Sequence, residues 1–110
     1  MASELMKRVC VRAMTNAETT LIAAVTAGHT YTILNITLCE TAGAAETFDL
    51  YIDPLGGSND TEIYSDQALG ANETFEHTGR IILEGTDHLC AATGSSAAVD
   101  VVVSYLDQTL

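Results

Sequence analysis

Residues 30–53, TYTILNITLCETAGAAETFDLYID, alternate apolar and polar side chains with a period of two, broken once by a run of small residues. That period fits a strand with one packed face and one wet face, and it does not fit a helix. In the first half Leu34, Ile36 and Leu38 fall together against Asn35, Thr37 and Cys39. In the second, Phe48, Leu50 and Ile52 alternate with Thr47, Asp49, Tyr51 and Asp53. Residues 41–45, TAGAA, supply a turn in which Gly43 can take a positive φ, so a β-hairpin is expected. Each fully buried Leu, Ile or Phe contributes roughly 1.5–3 kcal/mol, enough for this unit to seed a core.

The remaining chain repeats the pattern in shorter pieces. Residues 7–14 (KRVCVRAM) set Val9 and Val11 against Arg8, Cys10 and Arg12, and TNAE at 15–18 breaks the run. Residues 19–26 (TTLIAAVT) are a second candidate strand; their Ala and Leu content allows a helix, but the threonines and short length favour extended chain. Gly28 and His29 turn the chain. After Asp53 comes the plainest loop, PLGGSND at 54–60, then a short edge strand over 61–64 and an irregular segment at 65–72 with room for one helical turn. Residues 74–83 are extended with a bulge or bend at Gly79, 84–87 turn, and 88–93 resume. Residues 97–106 (AAVDVVVSYL) are apolar on both sides, as in a strand central to a sandwich or buried against another chain. Strands at ten-residue intervals separated by turn residues predict an all-β fold, a single antiparallel β-sandwich.

At 110 residues this is one domain, able to bury roughly 60–70% of its unfolded surface. The division expected is a basic arm or first strand over residues 1–18 and the sandwich over 19–110. Only 17% of residues are charged, leaving neutral surface of the sort a subunit packed against neighbours shows, and also a Thr- and Ala-rich monomer. No apolar run reaches the roughly 18 residues of a membrane span, and the N-terminus lacks a signal-peptide core, so synthesis in the cytoplasm is expected.

The net charge of −11 is unevenly spread: Lys7, Arg8 and Arg12 stand in the first twelve residues, and Arg80 is the one base beyond them. So acidic a body is repelled by phosphate backbones, which argues against nucleic acid as a partner. The basic segment is either a strand with solvated charges or an arm that docks on an acidic neighbour.

No catalytic constellation emerges. His29, His77 and His88 are far apart in sequence, and no Ser or Cys sits in a nucleophile-elbow context. Asp49 and Asp53 share a strand face but stand about 13 Å apart. Asn59, Asp60 and Glu62 offer oxygen ligands without the order of a calcium loop. Cys10, Cys39 and Cys90 have no zinc spacing; reduced thiols are expected, and which two could pair is left open. No catalytic residue, metal or cofactor is assigned.

The order of signals resembles small β-sandwich virion proteins of tailed bacteriophages, of the capsid decoration or cement type. The resemblance is carried by Ala27-Gly28-His29-Thr30, Leu34-Asn35-Ile36-Thr37 and residues 47–52, then by residues 82–91 (ILEGTDHLCA) and 98–105. Gly85-Thr86-Asp87 is one residue longer than the Gly-Asp of the pattern. The resemblance implies a jelly-roll-like fold of about eight short strands and a structural, non-enzymatic role. It also implies binding to the major capsid protein on the outer surface of the virion, with self-association as a homotrimer. Lys7, Arg8 and Arg12, with Val99, Val101, Val103 and Tyr105 of the last strand, are then the expected partner-facing residues. The rival expectation is a receptor- or glycan-binding module of a tail or fibre, using the loop at 54–60 with Tyr51 and Tyr64. An enzyme subunit or small-molecule-binding sandwich is a third.

Overall fold

The computed structural model describes residues 3–54, 60–95 and 98–109. Among these there is no helix, and nine strands are formed: β1 (Ser3–Met14), β2 (Thr19–Ile22), β3 (His29–Glu40), β4 (Glu46–Asp53), β5 (Thr61–Leu69), β6 (Thr74–His77), β7 (Ile81–Leu83), β8 (His88–Thr93) and β9 (Val99–Thr109). They build two antiparallel sheets. The wide sheet has the order β1-β9-β3-β6, with β7 also on β3; the narrow sheet has the order β2-β8-β4-β5. β6 pairs with Ile36–Cys39 of β3 and β7 with Tyr31–Ile33, so the two occupy one strand position interrupted around Gly79. With those halves merged, eight strand positions in two interleaved four-stranded sheets are a jelly roll.

The expected hairpin is not formed. β3 and β4 are the two predicted strands, but β3 bonds to β9, β6 and β7 while β4 bonds to β5 and β8. The TAGAA segment, with Gly43 at φ 79°, therefore arches from one sheet to the other. Both strands carry an apolar face, and facing sheets bury those two faces against each other, which pairing side by side would not.

The face assignment in β3 also changes part-way. The register shifts between Ile33 and Asn35, so Tyr31 and Ile33 join Ile36 and Leu38 in the core while Leu34 turns to the outside, only half-buried. A bulge of one residue exchanges the two faces. Two other departures share this cause. β5 runs on to Leu69 where an irregular segment was expected, passing through Asp66 at φ 50° and register shifts against β4. β1 shifts between Val11 and Met14, with Ala13 at φ 54° and its N–H donated to Asp100 Oδ1 at 2.8 Å.

The core lies between the sheets around Phe48, Ile33, Leu38 and Leu50, all fully enclosed. Phe48, Tyr64 and Phe75 meet edge to face with ring centroids 5.0–6.0 Å apart, closing the side of the sandwich where β5 and β6 lie. Val99, Val101, Val103 and Tyr105 alternate inward along β9 and are buried. β9 is thus a central strand, between β1 and β3.

Candidate partner-binding surface

The outer side of the wide sheet carries Met6, Ile82 and Val102, three of the four exposed large apolar side chains among the described residues. Cross-strand register sets Met6 beside Leu106, Leu106 beside Thr32 and Thr32 beside Ile82, a row running over β1, β9, β3 and β7. Met6 is 75% exposed and Ile82 51%. A second row sets Cys10 beside Val102, Val102 beside Thr37 and Thr37 beside Glu76. Arg8 lies between the rows opposite Ser104, and Arg12 lies beyond the second; both are exposed. A shallow depression lined by Cys10, Arg12, Asp100 and Val102 marks that end.

Alternation separates the seven expected partner-facing residues into two groups. Arg8 and Arg12 are on the surface, whereas Val99, Val101, Val103 and Tyr105 are taken up by the chain's own core. The outward residues of β9 are Val102, Ser104 and Leu106. Lys7 is half committed. Its Nζ lies 2.8 Å from Asp107 Oδ2, and His29 Nδ1 lies 2.6 Å from Asp107 Oδ1. Asp107, only 3% exposed, so ties β1 and β3 to β9. The hydrogen bond from Lys7, more than that from His29, holds the Asp107 carboxyl below its usual range, and the same bond raises Lys7.

Two buried glutamates escaped sequence reading. Glu40, 1% exposed, accepts backbone N–H bonds from Ala42 (2.8 Å), Gly43 (2.9 Å), Ala44 (3.2 Å) and Asn72 (3.0 Å). Those donors, Asn72 foremost, push its pKa down. Glu46 accepts from the N–H groups of Thr47 (2.9 Å) and Ser95 (3.1 Å) and from Ser95 Oγ (2.7 Å). The available signal was a glutamate at each end of a small-residue turn, where free N–H groups gather around an anion. Both are framework rather than reactive groups.

The narrow sheet's outer side is acidic. Asp49 accepts the N–H of Asp66 at 2.7 Å. Burial, then the neighbouring carboxylates Asp49, Asp60 and Asp66, raise Glu62; burial, then Asp53 and Glu18, raise Asp60. Tyr51 donates to Glu18 and is pushed well above the ordinary phenol range, chiefly by burial. Tyr64 is half-buried, set edge to face against Phe75 and 2.8 Å from His77 Nδ1. Neither tyrosine is an open sugar platform, and most of the loop expected to accompany them lies outside the described residues, as does Asn59 of the calcium reading.

Each histidine has its own framework partner: His29 with Asp107, His77 with Tyr64, and His88 Nδ1 3.3 Å from the Asp53 carbonyl. Cys10 is exposed, Cys39 half-buried and Cys90 buried, all three as free thiols. Among the described residues no three His, Cys, Asp or Glu are grouped to hold a metal ion. What remains is a broad, partly apolar sheet face with two exposed arginines on its edge strand, on an acidic chain.

No protein-family model and no curated protein matches this sequence. The fold, however, has solved counterparts. A chain from the acid-stable capsid of Helicobacter pylori bacteriophage KHP30 is 13% identical with a TM-score of 0.56, over 100% of this chain and 94% of that one. A chain from the disulfide-linked pili of Bacillus endospore appendages is 12% identical with a TM-score of 0.57, over 99% and 89%. A chain from infectious bursal disease virus strain Gx is 13% identical with a TM-score of 0.59; the match takes in 100% of this chain but 32% of the viral one. These likenesses show an all-β sandwich of the kind found in viral capsid chains.

Proposed function

We propose that this chain is a structural virion subunit, a decoration or cement protein that sits on the outer surface of a capsid and binds its major capsid protein. The observation that carries this reading is the row Met6–Leu106–Thr32–Ile82 laid across the wide sheet on an otherwise acidic chain. Four strands about 4.8 Å apart and about eleven residues long present roughly 700 Å², close to the roughly 800 Å² per partner of a stable interface. A cement needs broad contact area on a rigid support, and sheet-on-sheet packing provides that rigidity. The contact assigned to β9 falls on Val102 and Leu106, its outward residues, and Arg8 and Arg12 border it. The acidic narrow sheet faces away from the shell. Copies associate with one another, as a homotrimer, and assemble on the shell in the host cytoplasm. The capsid chains that share this fold support the reading.

Co-sedimentation with capsid shells that lack this protein tests it. Met6→Asp and Ile82→Asp, both at exposed positions, lower shell occupancy at least tenfold while the circular-dichroism spectrum stays that of the parent. Unchanged occupancy removes the wide sheet from the contact. Saturable binding on a glycan array by a chain that ignores shells would instead favour a receptor-binding module.

A further inference from the structure

We infer that copies of this chain join flank to flank, with β1 of one copy laid against the β5/β6 flank of the next. This rests on the self-association in the reading above, but not on the shell. Three observations carry it. First, β1 is an edge strand: among the described residues it bonds to β9 alone, so its other side is an open ladder from Ser3 to Met14. Second, three of the chain's four Lys and Arg residues, Lys7, Arg8 and Arg12, stand on that strand. Third, the opposite flank carries the opposite sign. β5 and β6 meet there through Tyr64 and Phe75, whose ring centroids are 5.0 Å apart. They present Glu62, Asp66 and Glu76, with Glu73 just before β6 and Arg80 just after it.

Charge also fixes which pairing is allowed. Two copies at −11 each repel over most of their surface, so contact is favourable only where the signs differ. Antiparallel pairing of β1 with a second β1 centred on Cys10 sets Arg8 against Arg12, and in any register it brings two strands of net positive charge together, which disfavours the isologous, two-fold arrangement. Laying β1 on the acidic flank matches the charges and brings the exposed Leu5 and half-buried Val9 toward half-buried Phe75 and Tyr64. The contact is heterologous, so it propagates until the rotation closes, and a closed ring of three is the homotrimer.

Sedimentation velocity of the purified chain, with no shell present, is the test. The unmodified chain sediments as an oligomer at about 0.05 M salt. Its association weakens about tenfold by about 0.5 M, as the screening length falls from roughly 14 to 4 Å. Contacts between like charges would strengthen over the same range, and that direction overturns the inference, as does a monomer at low salt. Arg8→Glu with Arg12→Glu yields monomer; Glu62→Lys with Glu76→Lys does the same; all four substitutions in one chain restore the oligomer. Failure of the combined chain to reassemble while its circular-dichroism spectrum is native also overturns it. Ile82→Asp, which tests the shell contact from β7 and does not touch β1, leaves the oligomer intact, so either proposal can fail alone.

Discussion

Lys7 and Asp107 close at 2.8 Å between neighbouring strands, the lysine 42% exposed and the aspartate 3%. The carboxylate sits on the inward row of β9, after Val99, Val101, Val103 and Tyr105, where apolar packing gives way to charge. His29 fills its other oxygen at 2.6 Å, so one buried acid holds together the ends of the three longest strands. A buried carboxylate is tolerated only when both oxygens are satisfied, which makes this cluster sensitive to pH and to single substitutions.

The sign of the pH effect follows from the lowered carboxyl. Asp107 is ionised in the folded chain to a lower pH than in the unfolded one, where its pKa is about 3.9. Its contribution is therefore fully present above that value and is lost as pH falls through the lowered folded pKa. Asp107→Asn is expected to melt several degrees below the parent at pH 7, and the two thermal midpoints converge as pH falls through the lowered folded pKa. A gap that persists in acid would mean that Asp107 acts through packing rather than charge.

The bulge in β3 gives a second expectation. Ile33 is fully enclosed and Leu34 is not, so Ile33→Ala costs about 2–5 kcal/mol while Leu34→Ala, on the outer face, costs less than about 1 kcal/mol. Urea titrations of the two variants measure this directly. Unbroken alternation from Leu34 to Leu38 would give the reverse order.

That pair of neighbours shows what sequence can and cannot convey. The alternation of Phe48, Leu50 and Ile52 and the all-β class follow from side-chain period alone, whereas the last strand, apolar on both sides, reads equally as central or as buried against another chain until its pairing with β1 and β3 is known. Where the period slips cannot be read that way, because a bulge adds a residue without any required side chain: Leu34, Ala13 and Asp66 are all ordinary strand-compatible or turn-compatible residues. The hairpin at TAGAA fails for a different reason. A five-residue connection serves equally within a sheet or between sheets, and tertiary packing decides. For the surface, the basic strand was legible as a charge cluster. The apolar row was not, because Met6, Leu106 and Ile82 come from three separate strands and only the register aligns them.

Glu40 gathers four backbone donors from two loops. With Glu40→Ala those N–H groups lose their acceptor, and the amides of Ala42, Gly43, Ala44 and Asn72 exchange with solvent at least tenfold faster. Glu40→Gln keeps one acceptor oxygen and restores part of the protection. Amide exchange followed by nuclear magnetic resonance separates this local opening from global loss of stability, which would accelerate the core amides of β3 and β9 as well.

The cysteines provide a reporter for the surface itself. Cys10 is exposed on β1, whereas Cys90 is enclosed, and its thiol is pushed up mainly by burial. A thiol-reactive probe at about pH 8 therefore labels Cys10 first, because reactivity follows both exposure and thiolate fraction, and reaches Cys90 only on unfolding. Since Cys10 lies on the strand that carries Arg8 and Arg12, its labelling in the assembled oligomer slows by at least tenfold. In the Arg8→Glu, Arg12→Glu variant it returns to the monomer rate. Equal labelling of Cys10 in oligomer and monomer would place the copy-to-copy contact elsewhere than β1, whatever the sedimentation coefficient.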